Sequence, residues 1–422
     1  MRRRLLLVLM VALLLVPALG FAGGRPEAAT GEITLRFPTF WVGRDSKAAP
    51  VAALIDEFNE QHAGRIRIVV EESPEPDGYR TMINTSLAAG RVPDLFIFNP
   101  DPTTFQYYDS DILMDFTDEI AGNWANDFVE GYIGESTING RTKTIPFEIG
   151  ITPIWYNEAL MRQAGITRFP QSYDEFLDAL SRLRNAGIVP TAQMTGGVNA
   201  WTSMLWYSHI LAAIGGPDVW SRPLNHPQFT QAAEILQLLY SDGNTTRDAI
   251  GADAGVAGGH FLSGRVAMFI NGPWYIGRVR SDAPEVYENT SVGFFPQLQS
   301  GAPRGMIGFQ LSNLAAANTD DPARREAVLT FMRWMTNPEN VARISRESGA
   351  MFAVRHDLGA DSDPLLREFA RVSEQADFSV GHFQSQFPIE VVQELGQAIG
   401  AMMLDPNVGP REFVGMLERA NQ

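Results

Sequence analysis

The sequence predicts an α/β protein built from two α/β units, the first of them doubly wound. Apolar runs of strand length alternate with amphipathic runs of helix length from residue 33 onward, and the alternation restarts after Thr144. No Pro/Gly/Ser-rich tether separates the halves, so the two units are expected to share several chain crossings. A chain of 422 residues also exceeds what one ordinary core serves, since domains cluster at about 100–150 residues.

The elements follow in order. Ile33 to Phe37 alternates as a strand does and ends at Pro38. Val51, Leu54, Ile55 and Phe58 recur at helical spacing in "APVAALIDEFNEQHAG", with Gly64 as the stop. "RIRIVVEES" reads as a second strand and "GYRTMINTSLAAG" as a helix closed by Gly90. "VPDLFIFNPD" is continuously apolar between Pro93 and Pro100, the pattern of a fully buried parallel strand. After Thr144, "SYDEFLDALSRLRNAGI" offers Ser172 as a cap with Glu175 three residues on, and Phe176, Leu180 and Leu183 on one face. "FTQAAEILQLLYSDG" is another helix. "GVAGGHFLSGRVAMFINGPW" reads as a helix end, a turn at Ser263-Gly264 and a strand "VAMFI". "VGFFPQL" is expected to be a strand leaving this unit. The region 322–348 is helical with a break near Asn337-Pro338, and the tail holds two or three more helices.

The first 22 residues form a separate signal. Arg2 to Arg4 precede an apolar run, Leu5 to Val16, and Gly20-Phe21-Ala22 places small residues where a signal peptidase cuts, so cleavage is expected after Ala22. The run falls short of the roughly 20 residues a membrane span needs. Removing this segment leaves 30 Lys+Arg against 49 Asp+Glu, a net charge of −19. So acidic a chain lacks the basic clusters that hold nucleic-acid phosphates. Cysteine is absent, which excludes disulfides, thiolate chemistry and a lipid-modified cysteine.

The usual catalytic signatures are missing. The histidines (His62, His209, His226, His260, His356, His382) never fall at i,i+4, and no HExxH, G-x-S-x-G, P-loop or GxGxxG occurs. No metal, cofactor or catalytic residue is therefore assigned, although two acids of a glycosidase need only meet in space. What stands out is the placement of aromatics. Trp41 follows the first strand, Trp155 and Tyr156 precede a helix, Trp201 and Trp206 sit at a Gly-rich stretch, and Trp274 follows a strand at a Gly-Pro turn. In open α/β sheets, side chains beyond the carboxyl ends of strands reach a cleft. An aromatic face suits the C–H face of a sugar, and Asn, Asp, Glu and Gln suit its hydroxyls.

Several segments carry a family resemblance: "GYRTMINTSLAAGRVPDLFIF", "TIPFEIGITPIWYNEALMRQAGI" with "FPQSYDEFLDAL", "FLSGRVAMFINGPW", "RGMIGFQLSNLAAA" leading to "AVLTFMRWMTNPEN", and "ESGAMFAVR". Their order and extent resemble the extracellular solute-binding proteins of carbohydrate ABC importers, a group that includes maltose- and multiple-sugar-binding proteins. The resemblance implies a two-lobe periplasmic-binding-protein fold with a ligand cleft, lobe one being 31–147 with 304–349 and lobe two 148–303 with 350–422. It implies capture of a carbohydrate by hinge closure and delivery to a membrane permease, with no catalysis and no cofactor. By position it marks Trp41 as a stacking platform or cleft wall, and Asn99 and Asp101 as hydroxyl partners. It places Glu148 at a crossing, Trp274 on the second lobe, and Gly308 and Gln310 in the return segment, with His382 in the tail. Trp155, Tyr156 and Trp201 are second-rank candidates. The expected state is a monomeric periplasmic protein rather than a lipoprotein. An exported carbohydrate-active enzyme and a binder of a polyamine or peptide are the alternatives. Glu148 has two readings: a hydroxyl acceptor on the cleft floor, or a structural partner within a crossing strand.

Overall fold

The computed structural model describes residues 31–100, 104–129, 131–241 and 243–422. The expected signal segment, residues 1–22, and Asp101 lie outside them. The first lobe opens with β1 (Ile33–Thr39), α1 (Ala48–Gln61), β2 (Ile66–Glu72), α2 (Pro76–Ala88) and β3 (Leu95–Phe98). β1 and β2 pair in parallel. α1 buries Val51, Leu54, Ile55 and Phe58, the stripe its spacing predicts. Short elements follow: α3 (Thr117–Ile120), α4 (Tyr132–Glu135), β4 (Thr137–Ile138) and β5 (Arg141–Thr142).

β6 (Ile145–Ile151) then carries the chain onward to β7 (Ile154–Asn157), α5 (Glu158–Gln163), α6 (Tyr173–Asn185), β8 (Val189–Thr191), α7 (Trp201–Gly215), α8 (Pro227–Tyr240), α9 (Ala254–Leu262) and β9 (Val266–Ile270). α10 (Ile276–Asp282), α11 (Pro284–Glu288) and β10 (Thr290–Gly293) complete this stretch. Its mixed sheet has the order β10-β7-β9-β8. Ser172 caps α6 as predicted, accepting from the Glu175 amide at 3.3 Å, while the Glu175 carboxylate reaches back to the Gln171 amide at 2.8 Å.

β11 (Gly305–Ala316) returns, followed by α12 (Pro322–Met335), α13 (Pro338–Ser348), β12 (Met351–Phe352), α14 (Pro364–Glu374), β13 (Phe378–Val380), α15 (Ile389–Leu404) and α16 (Pro410–Ala420). The break before Pro338 is a capped restart: Asn337 Oδ1 accepts from the Glu339 and Asn340 amides. Among the described residues no helix is long and apolar enough to cross a membrane.

β11 joins the two halves. Its far end pairs with β3, its near end with β13, and β6 runs antiparallel beside its middle. β12 flanks β6 on the other side. The apolar clusters separate around this ribbon. One gathers residues from Leu35 to Ile149 with Leu314 to Val354, and two others gather Ile151 to Phe309 with Leu365 to Leu417. Residues 350, 352, 353 and 354 pack in the first cluster, whereas Met306 and Ile307 pack in the second half. The hydrophobic seams thus run a few residues past the positions 349 and 304 at which the lobes were expected to change.

Two expectations on strands change. β3 is buried throughout, but its ladder is antiparallel, to β11. A continuous apolar run specifies two covered faces and leaves strand direction open. The strand expected at "VGFFPQL" (292–298) instead covers Thr290–Gly293, overlapping it only at Val292 and Gly293, and it stays in this unit's sheet, antiparallel to β7.

Candidate functional site

Four rings from four distant segments converge on the second lobe's side of the β11–β6 ribbon. Trp274 follows β9 through Asn271-Gly272-Pro273. A Cβ on Gly272 would lie 2.1 Å from the Trp274 ring, so only glycine lets the indole fold back over its own turn. Trp201 is the first residue of α7. Ala200 before it holds φ 47°, ψ 47°, left-handed geometry that an alanine seldom adopts. Phe309 lies on β11 directly over Gly150 of β6, where a Cβ would come within 2.6 Å of its ring. His382 follows β13.

The ring centroids are 6.2 Å apart for Trp201–Trp274, 6.1 Å for Trp201–Phe309, 6.3 Å for Trp274–Phe309, 5.6 Å for Trp201–His382 and 4.1 Å for Phe309–His382. Trp201 and Trp274 are half-buried, while Phe309 and His382 are buried. The indoles therefore keep aromatic surface available on a floor formed by the other two rings.

Burial pushes the His382 imidazole down to about 3, and the charge of Arg80 on α2 adds to that effect. The ring is neutral at physiological pH. Its Nδ1 accepts from the Ser385 amide at 3.1 Å, which places the proton on Nε2 and makes that atom a donor. Nearby, Asn199 Nδ2 donates to Gln384 Oε1 at 2.6 Å, and the Phe383 amide donates to Ser208 Oγ at 2.9 Å. These bonds tie the loop before α7, and α7 itself, to the segment carrying His382.

The remaining predicted residues fall elsewhere. The Gln310 amide is fully engaged: Nε2 donates to the Tyr132 carbonyl and Glu135 Oε2, and Oε1 accepts from Ser136 Oγ and Asn313 Nδ2. It ties β11 to α4. Gly308 admits β13, since a Cβ there would lie 2.5 Å from Ser379 Oγ. Asn99 Nδ2 donates to the Leu311 carbonyl at 2.6 Å.

Three aromatics expected at a cleft wall pack inward. Trp41 is 1% exposed, with Phe37, Phe40 and Phe147 around it. Trp155 is 0% exposed, edge-on to Phe261, Tyr275 and Phe369, and its Nε1 donates to the Asn271 carbonyl at 2.7 Å. Tyr156 is half-buried and stacked on Phe169 at 4.6 Å. A position at a strand end fixes where a side chain starts, while the pleat decides which face it points to.

Glu148 is 1% exposed within β6 and forms an ion pair with Lys47 Nζ at 3.2 Å; Asp45 Oδ1 lies 3.3 Å from the same nitrogen. Burial raises Glu148 to about 6 against the lowering pull of Lys47. Burial alone would lower Lys47, but Asp45 and Glu148 outweigh it and hold the ammonium above its ordinary value. Neither Glu148 oxygen has full hydrogen-bond geometry with any group, nor does Ser312 Oγ opposite it on β11. The placement favours the structural reading of this carboxylate.

Phe309 was missed by sequence reasoning although its neighbours Gly308 and Gln310 were singled out. Gly308 and Gln310 were marked by resemblance, and period-two alternation puts them on the opposite face from 309, whose face meets the other rings. Among the described residues no group of three or more His, Asp or Glu could hold a metal ion. A concavity of about 500 Å³ lies apart from the rings, lined by Gln171, Gln297, Gly301, Ala302, Pro303, Arg304 and Asp377, and offers no aromatic platform.

Known proteins are similar to this chain in sequence or in fold. The family described as Bacterial extracellular solute-binding protein matches residues 44–342. The Multiple sugar-binding protein of Streptococcus mutans is 21% identical over 332 residues, 76% of each chain. The Maltotriose-binding protein of Pyrococcus abyssi is 22% identical over 320 residues, 74% of this chain and 66% of its own. A solved chitin oligosaccharide binding protein superposes with a TM-score of 0.83 at 19% identity, covering 92% of this chain and 99% of that one.

Proposed function

The chain belongs to the bacterial extracellular solute-binding protein family, and from that premise we propose that it is the periplasmic substrate-binding component of an ABC importer for a sugar or oligosaccharide. The observation that carries the reading is the four-ring group of Trp201, Trp274, Phe309 and His382. Two half-buried indoles over a buried aromatic floor suit the C–H faces of a pyranose, and one fixed N–H donor suits a ring or hydroxyl oxygen. The relatives named as sugar binders support the ligand class. The ligand closes the two lobes by binding the closed arrangement more tightly than the open one, and the closed form is what a membrane permease accepts. The protein acts as a monomer and performs no chemistry on its cargo.

A thermal-shift panel of mono- and oligosaccharides, polyamines and peptides tests this. A bound sugar at 100 times its dissociation constant raises stability by about 2.7 kcal/mol. A shift with sugars alone is expected. A shift confined to polyamines or peptides, or release of product from an oligosaccharide, would replace the reading.

A further inference from the structure

The loop between β1 and α1 belongs to the first lobe, since Trp41 within it and Val51 after it pack in that lobe's core. Trp274 packs against both clusters of the second lobe. Between them runs one direct bond: Ser46 Oγ donates to the Trp274 carbonyl at 3.0 Å.

The surroundings make that contact specific in two ways. On the first-lobe side, Ser46 is flanked by Asp45 and Lys47, and Lys47 Nζ lies within 3.3 Å of both Asp45 and Glu148. This buried ion cluster pins the loop to β6, the strand that crosses between the lobes. On the second-lobe side, the segment after Trp274 is seated closely on first-lobe atoms. A Cβ on Gly277 would lie 2.8 Å from the Ser348 carbonyl oxygen and 3.1 Å from Ser46 Cβ. Gly349, at φ +78°, comes close to Ile276, and Arg280 donates to the Glu347 carbonyl at 2.8 Å. The turn bearing the ligand-facing indole is therefore held from across the lobe boundary.

We propose that Ser46 is a positioning residue whose hydroxyl, presented by the Asp45–Lys47–Glu148 cluster, fixes the Trp274 turn from the opposite lobe and so couples the indole platform to the relative placement of the lobes. The inference rests on the proposed function for its ligand. It gives Glu148 a role it could not have as a direct hydroxyl partner: it acts through Lys47 on the loop that holds the platform. In a lobe arrangement that withdraws Ser46, the Trp274 carbonyl loses this donor and the turn is freed. Ligand that stacks on Trp274 then favours the arrangement in which Ser46 is engaged.

The test compares wild type with Ser46→Ala by calorimetry, using the sugar that gives the largest thermal shift, and by hydrogen exchange of the segment 271–282 without ligand. Loss of one such hydrogen bond is expected to weaken sugar binding about threefold to tenfold, mostly through faster dissociation. The ligand-induced rise in Tm should shrink more than the Tm of the free protein falls, and exchange in 271–282 should accelerate. Unchanged affinity with unchanged exchange overturns the proposal. So does an equal loss of stability in free and loaded protein, the mark of a contact that only supports the fold. Should no sugar bind wild type, the proposed function fails. The exchange arm still decides whether Ser46 holds the Trp274 turn: faster exchange supports it and unchanged exchange overturns it.

Discussion

Trp41 and Trp274 occupy analogous places in their lobes, each just past a strand and beside a loop, yet they have opposite surroundings. Trp41 sits inside the first lobe's core at 1% exposure, ringed by phenylalanines. Trp274 is half-buried and shares one face of the second lobe with Trp201, Phe309 and His382. The lobes divide the work between them. The first lobe's side of the boundary is charged and polar, with Lys47, Glu148 and the Gln310 network, whereas the second lobe's side is aromatic. Large indoles in both halves therefore serve different ends: one consolidates a core, the other offers a surface.

The strongest way to break this contrast is to truncate both indoles in parallel. Trp41→Ala should lower the unfolding free energy by about 3–5 kcal/mol, as for other buried Trp. Trp274→Ala should leave stability nearly unchanged and weaken sugar binding by about 30-fold or more, the effect of losing a central aromatic anchor. Denaturant melts with calorimetry on both variants read the two quantities. A Trp41→Ala protein that folds normally but no longer binds would erase the distinction.

The pH response sharpens the comparison, because the two regions carry opposite signs. Glu148 is raised from 4.5 to about 6 in the folded chain, so its contribution to stability is full below pH 4.5 and is lost as pH rises through about 6. That amounts to about 2 kcal/mol. Glu148→Gln should remove this decline from a plot of unfolding midpoint against pH between 4.5 and 6; an unaltered slope would show that another group produces it. His382 is depressed from 6.5 to about 3, so its contribution is full above pH 6.5 and is lost as pH falls through about 3. The smallest expected effect is therefore on binding. In the Glu148→Gln protein, where the carboxyl near 6 no longer titrates, sugar affinity should stay flat from pH 8 to pH 5, because the His382 imidazole is neutral throughout. A drop near pH 6.5 would mean that the ring titrates at its ordinary value and is not buried as described.

Much of the fold was legible in the sequence because it rests on local periodicity and capping. The α1 stripe, the Ser172 cap, the Asn337-Pro338 restart and the "VAMFI" strand all depend on residues within a few positions of one another. The candidate site was legible in part. Trp201, Trp274 and His382 were marked and do converge, but Phe309 was passed over for its neighbours, and Trp41 and Trp155 were marked for a surface they do not reach. Sequence supplied the residue types and the order of strands and turns. It could not supply which pleat face meets the other lobe, because that depends on pairing between segments more than 150 residues apart, as when Phe309 settles over Gly150.

Glu148 marks the same boundary between the two sources. Its place in an apolar strand made it conspicuous, and sequence alone allowed a ligand contact or a structural partner. The approach of Lys47 from a distant loop favours the structural reading, since a buried carboxylate takes its meaning from the charge beside it. By itself the sequence determined the α/β architecture, the family likeness and the aromatic inventory, all of which follow from short-range pattern. The tertiary structure decided which rings are core and which stay half-buried, and that a serine of one lobe donates a hydrogen bond to the Trp274 carbonyl of the other. Burial and contact are properties of the packed chain that no local pattern encodes.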